Sequence, residues 1–444
     1  MKVLHLPGSY PPWRAAGKEV YSHTLATALR EFAIDSEVAV TTSGVHPAEV
    51  GDYEHEGVPV HVLPPASEYG SRQAFYGRKF SDLPGFNQLL TDVQPDVVHF
   101  HDQNDGASLS HLRMVKDRGL PAVLTFHSPG QICPHHDLLR WGTTPCDGEL
   151  RVRRCTACRM SASGLNPVLG NLIGLVEWPA PDPESTSIAS RLLNARKMTR
   201  WFRDSVIEFG ELSDAVVVLA RWCEDIWLRN GLERSKLFLV PSGGRSERPR
   251  DPSPKFPERS TLVVGFAGRC ESIKGIHVLV DAIQRLPPEF MIEVRLYGGG
   301  WDSDYGRALL DRIANDSRFV KPRIVPNDQL GIEFAKLDVA VVPSIWLETG
   351  PLTLFDAFAA GTPVIGSNLG GIAERVRHGE NGLLFEAGSA LDLAACLTRC
   401  REESGLVQRL RSGVSSPRTF VDTASDMSVI YRKLAGQSKP TKPS

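Results

Sequence analysis

The chain has 444 residues, too many for one ordinary hydrophobic core, so two or three domains are expected. Its 50 basic residues nearly balance 52 acidic ones, which removes any bulk electrostatic case for nucleic acid as a partner. A hydrophobic content of 41% with 23% charge excludes a disordered chain and fits a soluble globular protein.

Met1-Lys2 runs straight into the strand-like Val3-Leu4-His5-Leu6, without the apolar region or cleavage site of a signal peptide. No run of about 18 apolar residues predicts a spanning helix. The expectation is a cytoplasmic protein, with peripheral contact at the inner face of a membrane left open. Glu19 to Phe32 has apolar positions at helical spacing, and Val38 to Thr42, Val58 to Leu63, Asp96 to Phe100 and Ala122 to Phe126 are predicted strands. Strands alternating with helices over short links predict βαβ units and a parallel sheet, which Asp214 to Leu219 and Leu237 to Pro241 complete. His99 lies inside an apolar run and reads as a satisfied core histidine, whereas His101 and His127 end their strands.

Cys133-x12-Cys146-x8-Cys155-x2-Cys158 follows His127. In a cytosolic chain such a cluster argues for metal before disulfides. The closing Cys-x2-Cys is a common half of a tetrahedral sulfur site, so a structural zinc is expected first and an iron–sulfur cluster second. Unrelated reduced cysteines are the alternative, and His135 or His136 is a substitute ligand. The apolar stretch Val168 to Val176 and the basic-aromatic run Arg191 to Arg203 read either as added packing helices or as a surface for an acceptor or a membrane.

Glu247 to Ser260 is Pro-rich, charged and aperiodic, a linker by composition. Beyond it strands are predicted at Leu262 to Gly265, Ile292 to Tyr297, Arg323 to Val325, near Val339 and at Thr362 to Gly366, with helices at Ile276 to Arg285 and from Pro351. The expected organisation is a first domain over 1–246 with a Cys-rich insertion near 130–210, a linker over 247–260 and a second domain over 261–416. A final helix over 417–436 and a disordered tail over 437–444 follow. Two such α/β domains place a ligand cleft at the C-terminal edges of their sheets.

Gly268-Arg269 and Lys274-Gly275 set two cations after a strand and before a helix, a plausible diphosphate clamp. Glu348 and Asp356, with seven residues between them, flank Gly350-Pro351-Leu352, where Pro351 suits a first helical turn. A helix N-terminus offers N–H groups to an anion and the carboxylates can hold hydroxyls, which suits a ligand carrying phosphate and sugar.

These elements together resemble the family 4 glycosyltransferases, retaining sugar-nucleotide-dependent enzymes of the GT-B fold. The match runs through Gly268-Arg269 with Lys274-Gly275, through Glu348 with Asp356, and through the Ala357 to Ile365 run. Leu239 to Gly243 and Glu380 to Phe385 also match. The resemblance implies two Rossmann-like, doubly wound parallel-sheet domains facing a central cleft. It implies a nucleotide diphosphate sugar as donor, a glycan, lipid-linked or small hydroxyl acceptor, and a place in glycan or polysaccharide assembly. It implies that Arg269 and Lys274 neutralise the leaving diphosphate, so no catalytic divalent metal is expected. Glu348 and His127 would face the donor sugar as catalytic-site residues, and Asp356 would hold the ribose. Gly17, Gly350, Pro351 and Leu352 would line the donor. The chain departs from the family at Asp356, usually Glu, and at Ala16, where a second glycine is usual beside Gly17. The rival readings are a sugar-nucleotide epimerase on the same architecture and a catalytically silent sugar-nucleotide-binding protein.

Overall fold

The computed structural model describes residues 1–14, 16–41, 51–68, 70–104, 106–179, 182–244 and 261–438. The predicted linker over 247–260 and the tail from residue 439 lie outside the described residues, as does Thr42 at the end of a predicted strand. The chain divides into two compact units, Met1–Pro241 with Phe420–Ser444, and Ser242–Thr419.

In the first unit the strands are β1 (Lys2–Gly8), β2 (Asp35–Thr41), β3 (Tyr53–His55), β4 (Val58–Leu63), β5 (Val97–His101) and β6 (Ala122–Phe126), then β7 (Leu139–Arg140), β8 (Thr144–Pro145), β9 (Ala215–Val218) and β10 (Leu237–Leu239). Eight of them form one sheet in the order β10-β9-β6-β5-β1-β2-β4-β3. Every pairing is parallel except β3 with β4. That hairpin was not anticipated; it closes through Glu56 and Gly57, both at positive φ, as a tight two-residue hairpin turn requires. Strand order reverses between β1 and β5, the switch point at which open α/β sheets bind ligands. β7 and β8 form a separate antiparallel pair just before the helix Val152–Ala162. The final helix, Phe420–Ser438, extends through Gln437, which composition assigned to the tail, and packs in this unit against Gly17–Ala28.

The second unit holds β11 (Leu262–Ala267), β12 (Ile292–Tyr297), β13 (Val339–Val342), β14 (Val364–Ser367) and β15 (Gly382–Phe385), all parallel, in the order β12-β11-β13-β14-β15. Alternation explains its two cores. Val339 and Val341 pack with Val264, Leu279 and Leu397 on one face; Ala340 and Val342 pack with Val263, Leu354 and Phe358 on the other. A strand covered on both faces must be apolar at every position, which is why it reads as an unbroken Val/Ala run. Residues 323–325, expected as a strand, make only one isolated bridge, Tyr297 to Arg323. Pro322 and Pro326 bracket the segment and have no N–H to continue a ladder.

Candidate active site

β11 and β13 are neighbours at the switch point of the second sheet, so the loops after them emerge side by side. The loop after β11 carries Arg269 and Lys274; the loop after β13 carries Glu348 and Gly350. Ile345 N–H donates to the carbonyl of Ile273 at 3.0 Å, tying the two together. Gly275 completes the junction at φ +72°, where an added Cβ would lie 1.8 Å from the Pro343 carbonyl oxygen. Only glycine permits that approach.

Glu348 is buried and receives three donors on the same oxygen, Oε1: Lys274 Nζ at 2.7 Å, Trp346 Nε1 at 2.8 Å and Ser344 Oγ at 2.9 Å. The Lys274 ammonium also lies 5.2 Å from the centre of the Trp346 ring. Burial alone would push the carboxyl up, but the Lys274 charge and these hydrogen bonds outweigh it and hold the group below its ordinary value. Glu348 is therefore an ionised, oriented acceptor. Its backbone is cradled by Gly370 and Gly371, the latter donating its N–H to the Glu348 carbonyl at 2.7 Å.

Lys274, Glu348, Gly350, Pro351, Leu352 and Asp356 thus fall on two adjoining loops and one helix. The helix is Leu352–Ala359; Pro351 caps it from outside instead of entering its first turn. Asp356 is buried within that helix. Arg269 is turned outward, more than half exposed and paired with Glu271 at 2.8 Å, so its arrangement differs from that of Lys274.

In the first unit, Gly17 opens the helix Gly17–Ala28 just past β1, and an added Cβ there would meet open space. Glu19, unanticipated from sequence, is buried in the first turn and accepts from Ser9 Oγ at 2.7 Å. His127 stands half-buried past the end of β6. Its backbone N–H donates to Asp102 Oδ1 at 2.8 Å, and the Ser128 hydroxyl donates to Asp102 Oδ2 at 2.9 Å. Asp102, at φ +57° beyond β5, is raised by burial, against the opposing pull of Lys18 and those hydrogen bonds. Packing and the Lys18 charge hold the His127 ring well below its ordinary value, so it is neutral. The Tyr21 ring meets it edge-on at 4.7 Å. Ending a strand was the signal that singled out His127. The same signal marks His101 at the end of the neighbouring strand, and extended by one residue it could have found Asp102.

The four clustered cysteines lie on the β7–β8 hairpin's flanks and the helix Val152–Ala162, all as free thiols. Trp141 N–H donates to Cys158 Sγ at 3.3 Å, and burial pushes the Cys133 thiol up, against the opposing N–H groups of His135, Leu138 and Asp137. Among the described residues, however, ligand-type atoms gather within 4.8 Å only at His5/His99/His101 and at His23/His55/Glu56. No three of the four sulfurs reach that spacing. Beside them the short helix Pro167–Ile173 packs through Gly170 and the adjoining Gly174 onto Ala157 and Arg153. That leaves Val168, Leu169, Leu172, Leu175, Val176 and Trp178 exposed.

Two Rossmann-like halves, with a lysine–carboxylate pair at the switch point of the second, define a protein of the GT-B glycosyltransferase class. The comparisons with known proteins agree. Residues 16–163 match the model of the glycosyl transferase 4-like domain, and residues 261–403 match that of glycosyl transferases group 1. The chain belongs to the family 4 glycosyltransferases. It is 31% identical over 199 residues to the D-inositol 3-phosphate glycosyltransferase of Corynebacterium urealyticum, covering 41% of this chain and 45% of that one. It is 35% identical over 185 residues to the enzyme of the same name from Stackebrandtia nassauensis, covering 38% and 41%. The chain thus spans under half the length of these curated relatives. Among solved structures it resembles Anabaena HepE in complex with UDP and glucose (TM-score 0.63, 17% identity, 97% of this chain and 99% of that one). It also resembles the sucrose-phosphate synthase of Thermosynechococcus elongatus (TM-score 0.64, 18% identity, 98% and 99%). At these identities the likeness establishes the GT-B fold.

Proposed function

We propose that the chain is a retaining glycosyltransferase that moves a sugar from a nucleoside diphosphate sugar to a hydroxyl acceptor in glycan or polysaccharide assembly. The observation that carries this reading is the Lys274–Glu348 pair at the switch point of the second sheet. Lys274 and Arg269 would take the charge of the departing diphosphate, a task positioned cations perform without a divalent ion. Glu348, already ionised and fixed through Oε1, would accept hydroxyls of the donor sugar, and Asp356 those of the ribose. Gly17, Gly350, Pro351 and Leu352 would let the donor approach the backbone, and His127 would hold a sugar hydroxyl. No side chain is assigned as nucleophile. The test is a panel of nucleoside diphosphate sugars with hydroxyl acceptors, reading the anomer of the product. Retained configuration with one donor supports the reading. A free altered sugar released without acceptor identifies an epimerase, and binding without turnover a silent binder.

The closing Cys155-x2-Cys158 of the four-cysteine segment is what supports a structural metal, zinc before an iron–sulfur cluster. About one metal per chain by elemental analysis, lost in Cys155→Ser, is expected; metal-free protein purified without chelator overturns it. The exposed apolar face from Val168 to Trp178 supports peripheral membrane contact. Co-sedimentation with anionic vesicles, abolished by Leu169→Glu with Leu172→Glu, tests it.

A further inference from the structure

Four histidines gather in the central strands of the first unit: His5 on β1, His99 and His101 on β5, and His127 just past β6. Strand register places them, since His5 pairs with His99 and His101 with Thr125. His5, His99 and His101 have no exposed surface. Their rings connect in series. Ser36 Oγ lies 3.3 Å from His5 Nε2, His5 Nδ1 lies 3.0 Å from His101 Nε2, and His101 Nδ1 lies 2.9 Å from His127 Nε2. His99 stands beside the series with ring centroids 4.0 Å from His101. Its own nitrogens are taken by Thr125 Oγ1 at 2.7 Å and by the Tyr431 hydroxyl at 2.6 Å.

The nitrogens of His5, His99 and His101 are close enough for a metal ion to bridge. Each of them already carries a hydrogen bond, so the arrangement is that of a chain sharing protons. Burial brings His5 down to about 3 and holds His99 and His101 well below the ordinary range, with neighbouring rings adding to the effect. All are neutral. A neutral imidazole has one N–H and one bare nitrogen, so in a series the proton position of one ring dictates that of the next. Two arrangements satisfy every contact. In one, Ser36 donates to His5, His5 to His101, and His101 to His127. In the other every direction is reversed.

We propose that His101 and His5 are positioning residues that couple the tautomer of His127 to their own, so that the proton position on His127 follows that of the buried rings. Its consequence for transfer rests on the reading of His127 as a sugar-facing residue; the tautomer itself does not.

The test uses the full chain labelled with ¹⁵N-histidine, reading the side-chain nitrogen resonances of His127 without substrate, together with steady-state kinetics. Wild-type protein is expected to show His5, His101 and His127 in the same tautomer, all Nδ1–H or all Nε2–H. His101→Leu should change the tautomer balance of His127 and lower kcat at least about tenfold with KM little changed, as losing the partner that orients a catalytic imidazole does. His101→Gln, which keeps a donor and an acceptor, should restore most of both. Ser36→Ala, at the far end and touching neither His101 nor His127, should shift the tautomer balance without unfolding the protein. Unchanged His127 resonances in both His101→Leu and Ser36→Ala overturn the proposal. So does stoichiometric zinc bound by the wild type and lost in His5→Ala. Should His127→Ala keep full transfer, the reading of His127 at the site fails while the tautomer result stands.

Discussion

Glu348 shows how a buried charge can be made usable. Taking a carboxylate out of water is expensive, and here one ammonium and two neutral donors offset that cost on a single oxygen. Lys274→Ala and Glu348→Ala are each expected to lower transfer at least about 10²-fold, the scale of losing a positioned charge contact, measured as kcat/KM with saturating acceptor. Near-native rates in either variant would remove these residues from the site. Lys274→Ala also strands a buried charge, so urea unfolding should show a loss of about 3 kcal/mol. Glu348→Gln separates the two effects, because it keeps the volume and removes the charge. The folded carboxyl lies below its unfolded value of about 4.3. Its contribution to stability is therefore complete above that pH and is lost as pH falls through the depressed folded value. A melting temperature that falls less steeply with acid in Glu348→Gln than in wild type is the expected outcome.

At the scale of elements, two joints carry the argument. Gly275 lets the loop after β11 rest against the loop after β13, and alanine there meets both a positive φ and the Pro343 carbonyl. The backbone term alone is about 1–2 kcal/mol. Gly275→Ala should lose at least that much by urea unfolding and lose nucleotide binding with it, because Lys274 and Ile345 would be displaced together. The other joint is the meeting of β1, β5 and β6, where parallel register stacks histidines inside the sheet. These rings are neutral when folded, with values lowered by burial, and they bind protons when unfolded. Their contribution is present above about pH 6.5 and falls as pH drops toward their folded values, each ring adding up to about 1.4 kcal/mol per pH unit. Unfolding free energy should therefore decline between pH 6.5 and 5, above the range in which Glu348 matters. A flat profile there would show that the rings titrate normally in the folded protein.

For the molecule as a whole, thermal stabilisation by nucleotides is the most direct reading of donor class. A nucleoside diphosphate at 100 times its dissociation constant should add about 2.7 kcal/mol. The shift should appear for one base in preference to others, persist in chelator, and vanish in an Arg269→Ala, Lys274→Ala double variant. The Arg269 change matters because Arg269 is paired outward with Glu271, so only ligand binding would draw it in. Stabilisation that survives the double variant would place the nucleotide elsewhere.

Local pattern alone carried a good deal of this protein. Helix Ile276–Arg285 and strands Ile292–Tyr297 and Val58–Leu63 have the bounds their periodicity predicts, because the alternating burial of a strand and the one-sided burial of a helix leave unmistakable apolar patterns. The order of motifs, from Gly268-Arg269 to Asp356, was enough to indicate the family. Other features depended on residues far apart in sequence. Residues 323–325 look like a strand, but prolines at both ends deny the ladder its donors. Lys274 and Glu348 are separated by 74 positions and meet only because β11 and β13 pair. The histidine series joins His5, His101 and His127 across three strands, and no spacing in the chain announces it. Short-range pattern determines which segments become strands and helices, because those are settled by each segment's own burial; which side chains then share a proton or a charge is decided by strand order and register, which only the assembled sheet supplies.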